Sequence, residues 1–211
     1  MLEVVELECM RGDRRLISGL SFALQQGELM HLHGHNGSGK TTLMRTICGL
    51  IQQSDGEILW NGENSRKLGE EFTGSLTYIG HKNGIKDDLN GLENLQLNCR
   101  LAGMPVDRER AWEVLEGMGL RGHEDLPVRV LSQGQKRRVT LARLLLSKAP
   151  LWILDEPFTA LDMAAVDFLQ SVISRHVEQG GMVILTTHQE VSLTRGQVRQ
   201  LRLGWKEDGN V

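Results

Sequence analysis

Gly34-His35-Asn36-Gly37-Ser38-Gly39-Lys40-Thr41-Thr42 fits the pattern G-x-x-x-x-G-K-[ST]. Residues 29–33 just before it read as a strand, and Leu43, Met44, Ile47 and Leu50 after it recur at helical spacing. The motif therefore sits at a strand-to-helix turn, the setting of a phosphate loop. Glycines let successive N–H groups curl around an anion without a Cβ in the way, and the helix N-terminus adds partial positive charge. From there Lys40 reaches the β/γ-phosphates and the Thr41 hydroxyl reaches Mg²⁺. A glycine-rich turn with an exposed lysine is the bland alternative, and the strand-loop-helix context weighs against it.

Working outward, the apolar run 151–154 ends in Asp155-Glu156. A buried strand with acids at its end delivers carboxylates to the edge of a sheet where ligands of open α/β folds bind. Asp155 is suited to the Mg²⁺ shell, and Glu156 to accepting a proton from an attacking water. Between the two sites lies Leu131-Ser132-Gln133-Gly134-Gln135, in which Ser132 and Gln135 have the spacing of a capping box. Lys136, Arg137 and Arg138 crowd the first turns of the helix it starts. Cations are unfavourable at that end unless an anion or an acidic surface is near, so a second phosphate contact is expected there.

The remaining pattern is a soluble α/β chain. Strands are expected at 2–8, 20–24, 57–60, 75–79 and 182–186, helices over about 92–118 with a break at Gly103-Met104-Pro105, and a helix through Val166, Leu169, Val172, Ile173 and Val177. The 211 residues allow one large domain, with or without an inserted subdomain. Hydrophobic residues at 40% and charged residues at 24% fill a core and exclude disorder as the main state. A formal net charge of −3 provides no global field for nucleic acid or lipid, and no nucleic-acid partner is expected. The start of the chain lacks the basic-then-apolar progression of a signal peptide, and no run approaches the ~18–20 apolar residues of a membrane span.

Three cysteines, Cys9, Cys48 and Cys99, are widely spaced without CxxC, which suits a reducing compartment better than a disulfide framework. His31 and His33 share one strand face and His35 lies in the phosphate loop, but no carboxylate or thiolate stands near them in sequence, so packing is expected rather than metal. There is no C-x-x-C-H, and covalently held haem is not expected on this chain.

Together these segments resemble the ATP-binding subunits of ABC transporters over about residues 2–203. LSQGQ is similar to the family signature LSGGQ with Gln133 at its third position, Asp155-Glu156 to the Walker B pair, Thr159-Ala160-Leu161-Asp162 to the D-loop, and His188 to the switch histidine. Ser132 lies 92 residues after Lys40, and His188 lies 33 after Asp155, separations that also agree. Within the superfamily, LSQGQKRRVTLARL, DEPFTALD, TTHQ and Tyr78-Ile79-Gly80-His81 look like the ATP-binding subunit of bacterial cytochrome c maturation (haem exporter) transporters.

The resemblance implies an α/β fold. It consists of a P-loop, RecA-like core with a small antiparallel β region and an inserted helical subdomain at about 81–147, in one nucleotide-binding domain over 1–205, with 206–211 a frayed tail. It also implies an ATP hydrolase that uses Mg²⁺, with Glu156 and His188 catalytic. Gly34 through Thr42 would bind the phosphates. Ser132, Gly134 and Gln135 would contact the nucleotide of a second chain in a head-to-tail homodimer. Arg11 falls where an aromatic residue stacks on adenine, and its planar guanidinium can lie on a purine. His81 falls at the Q-loop glutamine beside the metal, with Lys82 the alternative if the register shifts by one. Thr41, Asp155 and His81 would then make up the Mg²⁺ set. Integral membrane permease subunits and cytochrome c maturation proteins are the implied partners, at the cytoplasmic face of the bacterial inner membrane. A soluble ABC-type ATPase of iron–sulfur assembly is the rival of similar size, while 92 residues leave no room for the coiled coil of repair types. The signature and D-loop speak against a small-molecule kinase.

Overall fold

In the computed structural model, residues 1–188 and 197–204 are described. The chain runs β1 (Leu2–Arg11), β2 (Arg14–Leu24), β3 (Glu28–His33), α1 (Lys40–Ile47), β4 (Asp55–Trp60), β5 (Glu63–Asn64), α2 (Ser65–Leu68) and α3 (Glu70–Gly74). It continues through β6 (Leu76–Ile79), α4 (Gly91–Leu101), α5 (Arg108–Gly117), α6 (Gln133–Ala142), β7 (Leu151–Asp155), α7 (Met163–Glu178), β8 (Met182–Thr186) and β9 (Gln197–Arg202). The frayed tail expected at 206–211, with residue 205, lies outside the described residues.

Two sheets form among the described residues: an antiparallel one ordered β2-β1-β4-β5, and a five-stranded one ordered β6-β7-β8-β3-β9. Every pairing in the second is parallel. All residues of β7 and β8 are buried, which is what a parallel strand covered on both faces requires. Their side chains divide by the period of two. Leu151, Ile153, Met182 and Ile184 pack with Leu43, Met44 and Ile47 of α1 and with Leu2, Val4, Ile58 and Trp60 of the antiparallel sheet. Trp152, Leu154, Val183 and Leu185 pack on the other face with Leu169 and Ile173 of α7 and with Leu92, Leu115 and Val139 of the helices between β6 and β7. The fold is thus an α/β P-loop core with an antiparallel β layer and an inserted group of helices, as expected.

Several elements depart from the sequence expectation. β1 and β2 extend to a tight hairpin, Arg11 pairing with Arg14, whereas alternation predicted only 2–8 and 20–24. The ladder shifts register between Val4 and Leu7, between Leu7 and Cys9 and again at Met10, and Glu6 sits at φ 46°, so bulges break the period that reveals a strand. α1 stops at Ile47, short of the expected Leu50, because Gly49 at φ 73° turns the chain out. The short helices α2 and α3 lack the length for a periodic signal. After β8 the described chain forms a further strand, β9, which the expected strands did not include, paired to β3 over six positions. The expected break at 103–105 separates α4 from α5, whose N-cap Asp107 accepts from Arg110 N at 2.7 Å.

Parallel pairing sends the carboxyl ends of β3, β6, β7 and β8 to one edge. The phosphate loop, Gly80-His81, Asp155-Glu156 and Thr186 through His188 follow those four ends, which converge as the connection rule for open α/β sheets requires.

Candidate active site

The loop after β3 can be built only with glycine at Gly34. Its φ is 151°, and a Cβ there would lie 2.4 Å from Ser38 Oγ and 2.7 Å from the Leu203 carbonyl. Leu203 N in turn donates to His33 O at 2.8 Å, so the end of β9 backs the loop. Gly39, at φ 101°, leads into α1, whose first turn holds no acid, leaving the helix end open to an anion. Lys40 Nζ arches over the loop, donating to Gly34 O at 2.6 Å and His35 O at 3.2 Å.

Opposite the loop, Asp155 is 3% exposed at the end of β7. Thr41 Oγ1 donates to its Oδ2 at 2.8 Å, and Thr186 Oγ1 donates to its Oδ1 at 2.9 Å. The Thr186 hydroxyl also accepts from Glu156 N at 2.9 Å. Glu156 occupies the left-handed region at φ 51°, and His188 Nε2 stands 3.5 Å from its Oε1. The Thr41 hydroxyl and the Asp155 carboxylate are hard oxygens gathered at one point, the donor set that Mg²⁺ takes beside a phosphate; the residues present fit that ion.

A cleft of about 510 Å³ joins these parts, within the range of small-molecule sites. Asn36, Gly37, Gly39, Lys40, Thr41 and Thr42 form one wall, Asp155, Glu156, Thr159 and His188 the other, and Arg11, Leu16 and His81 reach it from the sides. His81 lines this cleft and Lys82 does not, while both line the neighbouring groove with Arg45, Leu50 and Tyr78. The His35 and Ser38 side chains lie beside Gly204 and line a second groove with Arg14, Arg15 and Arg202, and neither residue lines the cleft.

Ser132, Gly134 and Gln135 do not line the cleft. The capping box forms: Gln135 N donates to Ser132 Oγ at 3.2 Å, and Ser132 N to Gln135 Oε1 at 2.8 Å. A Cβ on Gly134 would approach Ala160 O to 2.7 Å, so the start of α6 is pressed against the 159–162 loop.

The ABC transporter family profile matches residues 17–159, more than half of the chain. This chain belongs to the ABC transporter family. A relative from Nitrosomonas europaea described as the cytochrome c biogenesis ATP-binding export protein CcmA is 53% identical over 203 residues, covering 96% of this chain and 95% of that one. One of the same description from Nitrosospira multiformis is 52% identical over 202 residues, covering 96% and 98%. Among solved structures, an ABC transporter ATP-binding protein from Pyrococcus furiosus superposes with a TM-score of 0.81 at 27% identity, covering 96% of each chain. A dimeric ATP-binding cassette bound to ADP and Pi gives 0.82 at 22% identity over 98% of each, a likeness of fold.

In this ABC family member the cations at the start of α6 have acidic or carbonyl partners within the chain. Lys136 pairs with Asp87 at 3.5 Å, and Arg138 with Asp162 at 2.5 Å. Arg137 is 3% exposed. Its Nη2 donates to the Asp155 and Glu156 carbonyls at 3.1 and 2.8 Å, and its Nε to Pro157 O at 3.3 Å. Acceptors within the chain thus offset the charge crowded at the helix start. Burial pushes the Arg137 pKa down to about 10, against the pull of Asp155 and Glu156, and it remains a cation at neutral pH.

His31 and His33 rings lie with centroids 3.8 Å apart and planes tilted by 43°, and burial lowers both pKa values, His31 further through its neighbour's charge and His33 through Arg202 and Lys40. Cys9, Cys48 and Cys99 are buried and free. Sequence reasoning gave no site role to Thr186, Thr159 or Leu16 and missed the bonding of Arg137. Thr186 had a signal, a hydroxyl closing an apolar strand just before His188. The carbonyls that hold Arg137 belong to residues of every type and leave none.

Proposed function

We propose that this ABC family member is the ATP-hydrolysing, ATP-binding subunit of an export complex for cytochrome c biogenesis, working as a head-to-tail dimer on membrane permease subunits. The observation that carries the ATPase reading is one cleft in which Lys40, the Thr41–Asp155 pair and Glu156 face each other. The cytochrome c assignment is supported by relatives of that description at about half identity over nearly the whole chain.

The chemistry follows from the positions. Backbone N–H groups of residues 34–42 and Lys40 bind the phosphates of ATP, and Arg11 lies flat against the base. Thr41, Asp155 and His81 are the residues that would hold Mg²⁺, which when bound would supply positive charge to the phosphates. Glu156 takes the proton of the water that attacks the γ-phosphorus, and ADP leaves with the electron pair of the broken P–O bond. His188 orients the Glu156 carboxylate. Ser132, Gly134 and Gln135 of the partner subunit close each site from across the dimer. The helices at about 81–147 are the arm that carries them, and residues 1–205 form the nucleotide-binding domain. No described helix is long and apolar enough to cross a membrane. In the proposed complex the chain lies on separate permease subunits at the cytoplasmic face of the bacterial inner membrane.

Glu156→Gln tests the core of this reading. Turnover should fall by at least ~10²-fold, the lower range for a positioned general base, while ATP binding persists and Mg·ATP shifts the protein to a dimer on sizing. Turnover near wild type would remove Glu156 from its role. Detergent extraction with the chain as bait should recover an integral membrane protein, whereas recovery of soluble iron–sulfur assembly proteins alone would overturn the export assignment.

A further inference from the structure

We infer that Arg137 is a positioning residue for ATP hydrolysis: one buried guanidinium fixes the backbone that aims Glu156 and ties it to the 80–83 loop that carries His81. The inference rests on the reading of Glu156 as the base.

Glu156 needs such support. It carries a side chain in the left-handed region at φ 51°, which a residue with a Cβ holds only where its surroundings over-determine it. Both peptide groups that flank it are gripped. On one side its N–H donates to Thr186 Oγ1 at 2.9 Å. On the other its carbonyl accepts from Arg137 Nη2 at 2.8 Å, with the carbonyls of Asp155 and Pro157 bound to the same guanidinium. The remaining prong points to a different strand end. Arg137 Nη1 donates to Gly80 O at 3.0 Å and to Asn83 Oδ1 at 3.3 Å. One turn further along α6, Thr140 Oγ1 donates to Asn83 O at 3.0 Å, so the helix holds that loop at two points.

Only arginine can do this. Its planar fork offers five N–H donors in fixed directions, whereas a lysine ammonium offers three from a point and cannot span acceptors on two strand ends. A side chain that served only to fill the core would have no use for five polar partners at 3% exposure. The fork therefore sets the catalytic carboxylate and the His81 side of the cleft in one frame, and loosening it should misplace the base without touching the phosphate loop.

The test is a double-mutant cycle read by two measurements, equilibrium Mg·ATP binding and phosphate release. Arg137→Met leaves several carbonyls bare and risks not folding, so Arg137→Lys, which keeps charge and approximate volume, carries the cycle alongside it. Arg137→Lys should bind Mg·ATP within ~2-fold of wild type and lower kcat by ~10- to 10²-fold, the range for a misplacement of about an ångström. In the Glu156→Gln background the same substitution should cost much less than in the wild type, because the carboxylate it positions is already gone. A structural role alone would weaken binding together with kcat, or lower kcat by the same factor in both backgrounds, and either result overturns the inference. Full turnover in Arg137→Lys overturns it too. If Glu156→Gln by itself retains turnover, the base assignment fails first and takes the inference with it, a result visible in the single variant.

Discussion

The Thr186 hydroxyl lies between the two acids, donating to Asp155 Oδ1 and accepting from Glu156 N. Thr186→Ser keeps both bonds and should turn over ATP near the wild-type rate. Thr186→Val keeps the shape, removes both bonds, and should lower kcat by about 10-fold or more with little change in Mg·ATP affinity, as measured by phosphate release and by calorimetry. Equal rates for the two variants would deny Thr186 any part in aiming Glu156. At Gly34 the outcome is steric, since the added Cβ meets the Ser38 hydroxyl and the Leu203 carbonyl. Gly34→Ala should abolish nucleotide binding by equilibrium dialysis, where Gly37→Ala, whose Cβ meets nothing within 4 Å, should only weaken it through its positive φ. Residues of the phosphate loop and the acid pair were legible because each set is contiguous. Thr186 and Arg137 were not, because their partners lie 18 to 57 residues away.

For the elements, legibility followed periodicity. The bodies of β7 and β8, 151–154 and 182–185, are unbroken apolar runs and read directly, whereas β1 is interrupted by its bulges and β9 carries charged residues among its apolar ones. The cap of α6 was legible as S-x-x-Q, and it makes a prediction apart from catalysis. Ser132→Ala should lower the stability of the nucleotide-free chain by about 1 kcal/mol, a fall in Tm of roughly 2–4 °C by calorimetry. The last turn of α7 makes another. His176 stacks flat on Trp152, with centroids 3.8 Å apart and planes 4° apart, and burial lowers its pKa, partly offset by backbone groups of Pro150 and Met182. Below its ordinary value of 6.5 the unfolded chain takes up a proton that the folded chain resists. Its stability contribution is therefore complete above that pH and is lost as the pH falls through it. His31 and His33 are lowered in the same direction. Thermal melts should show Tm falling from pH 7.5 to pH 5.5, less steeply in His176→Phe, which keeps a flat ring on Trp152. Parallel slopes in the two proteins would deny His176 that part.

At the scale of the whole molecule, the signature residues and the cleft occupy separate places in one chain, so the two should respond differently to dilution. Lys40→Ala should weaken Mg·ATP binding by isolated monomers, while Ser132→Ala should spare it and impair hydrolysis; equal loss of monomer binding in both would refute closure from a second subunit. The division into a parallel core and an antiparallel layer was read from resemblance rather than from pattern, since short apolar strands carry no mark of the direction of their neighbours. The strand order β6-β7-β8-β3-β9 has a consequence in time. β3, which carries the phosphate loop, is the third strand made, yet its two neighbours are the last two. During synthesis the loop motif leaves the ribosome early and waits, unpaired on both edges, until Leu203 has been added to back Gly34. A nascent or stalled fragment ending before β8 therefore carries the whole nucleotide motif and both acids, yet it should fail to hold ATP. Ribosome-bound chains halted at residue 180 should stay blank to a fluorescent ATP analogue, and only those long enough to expose β9 should light up.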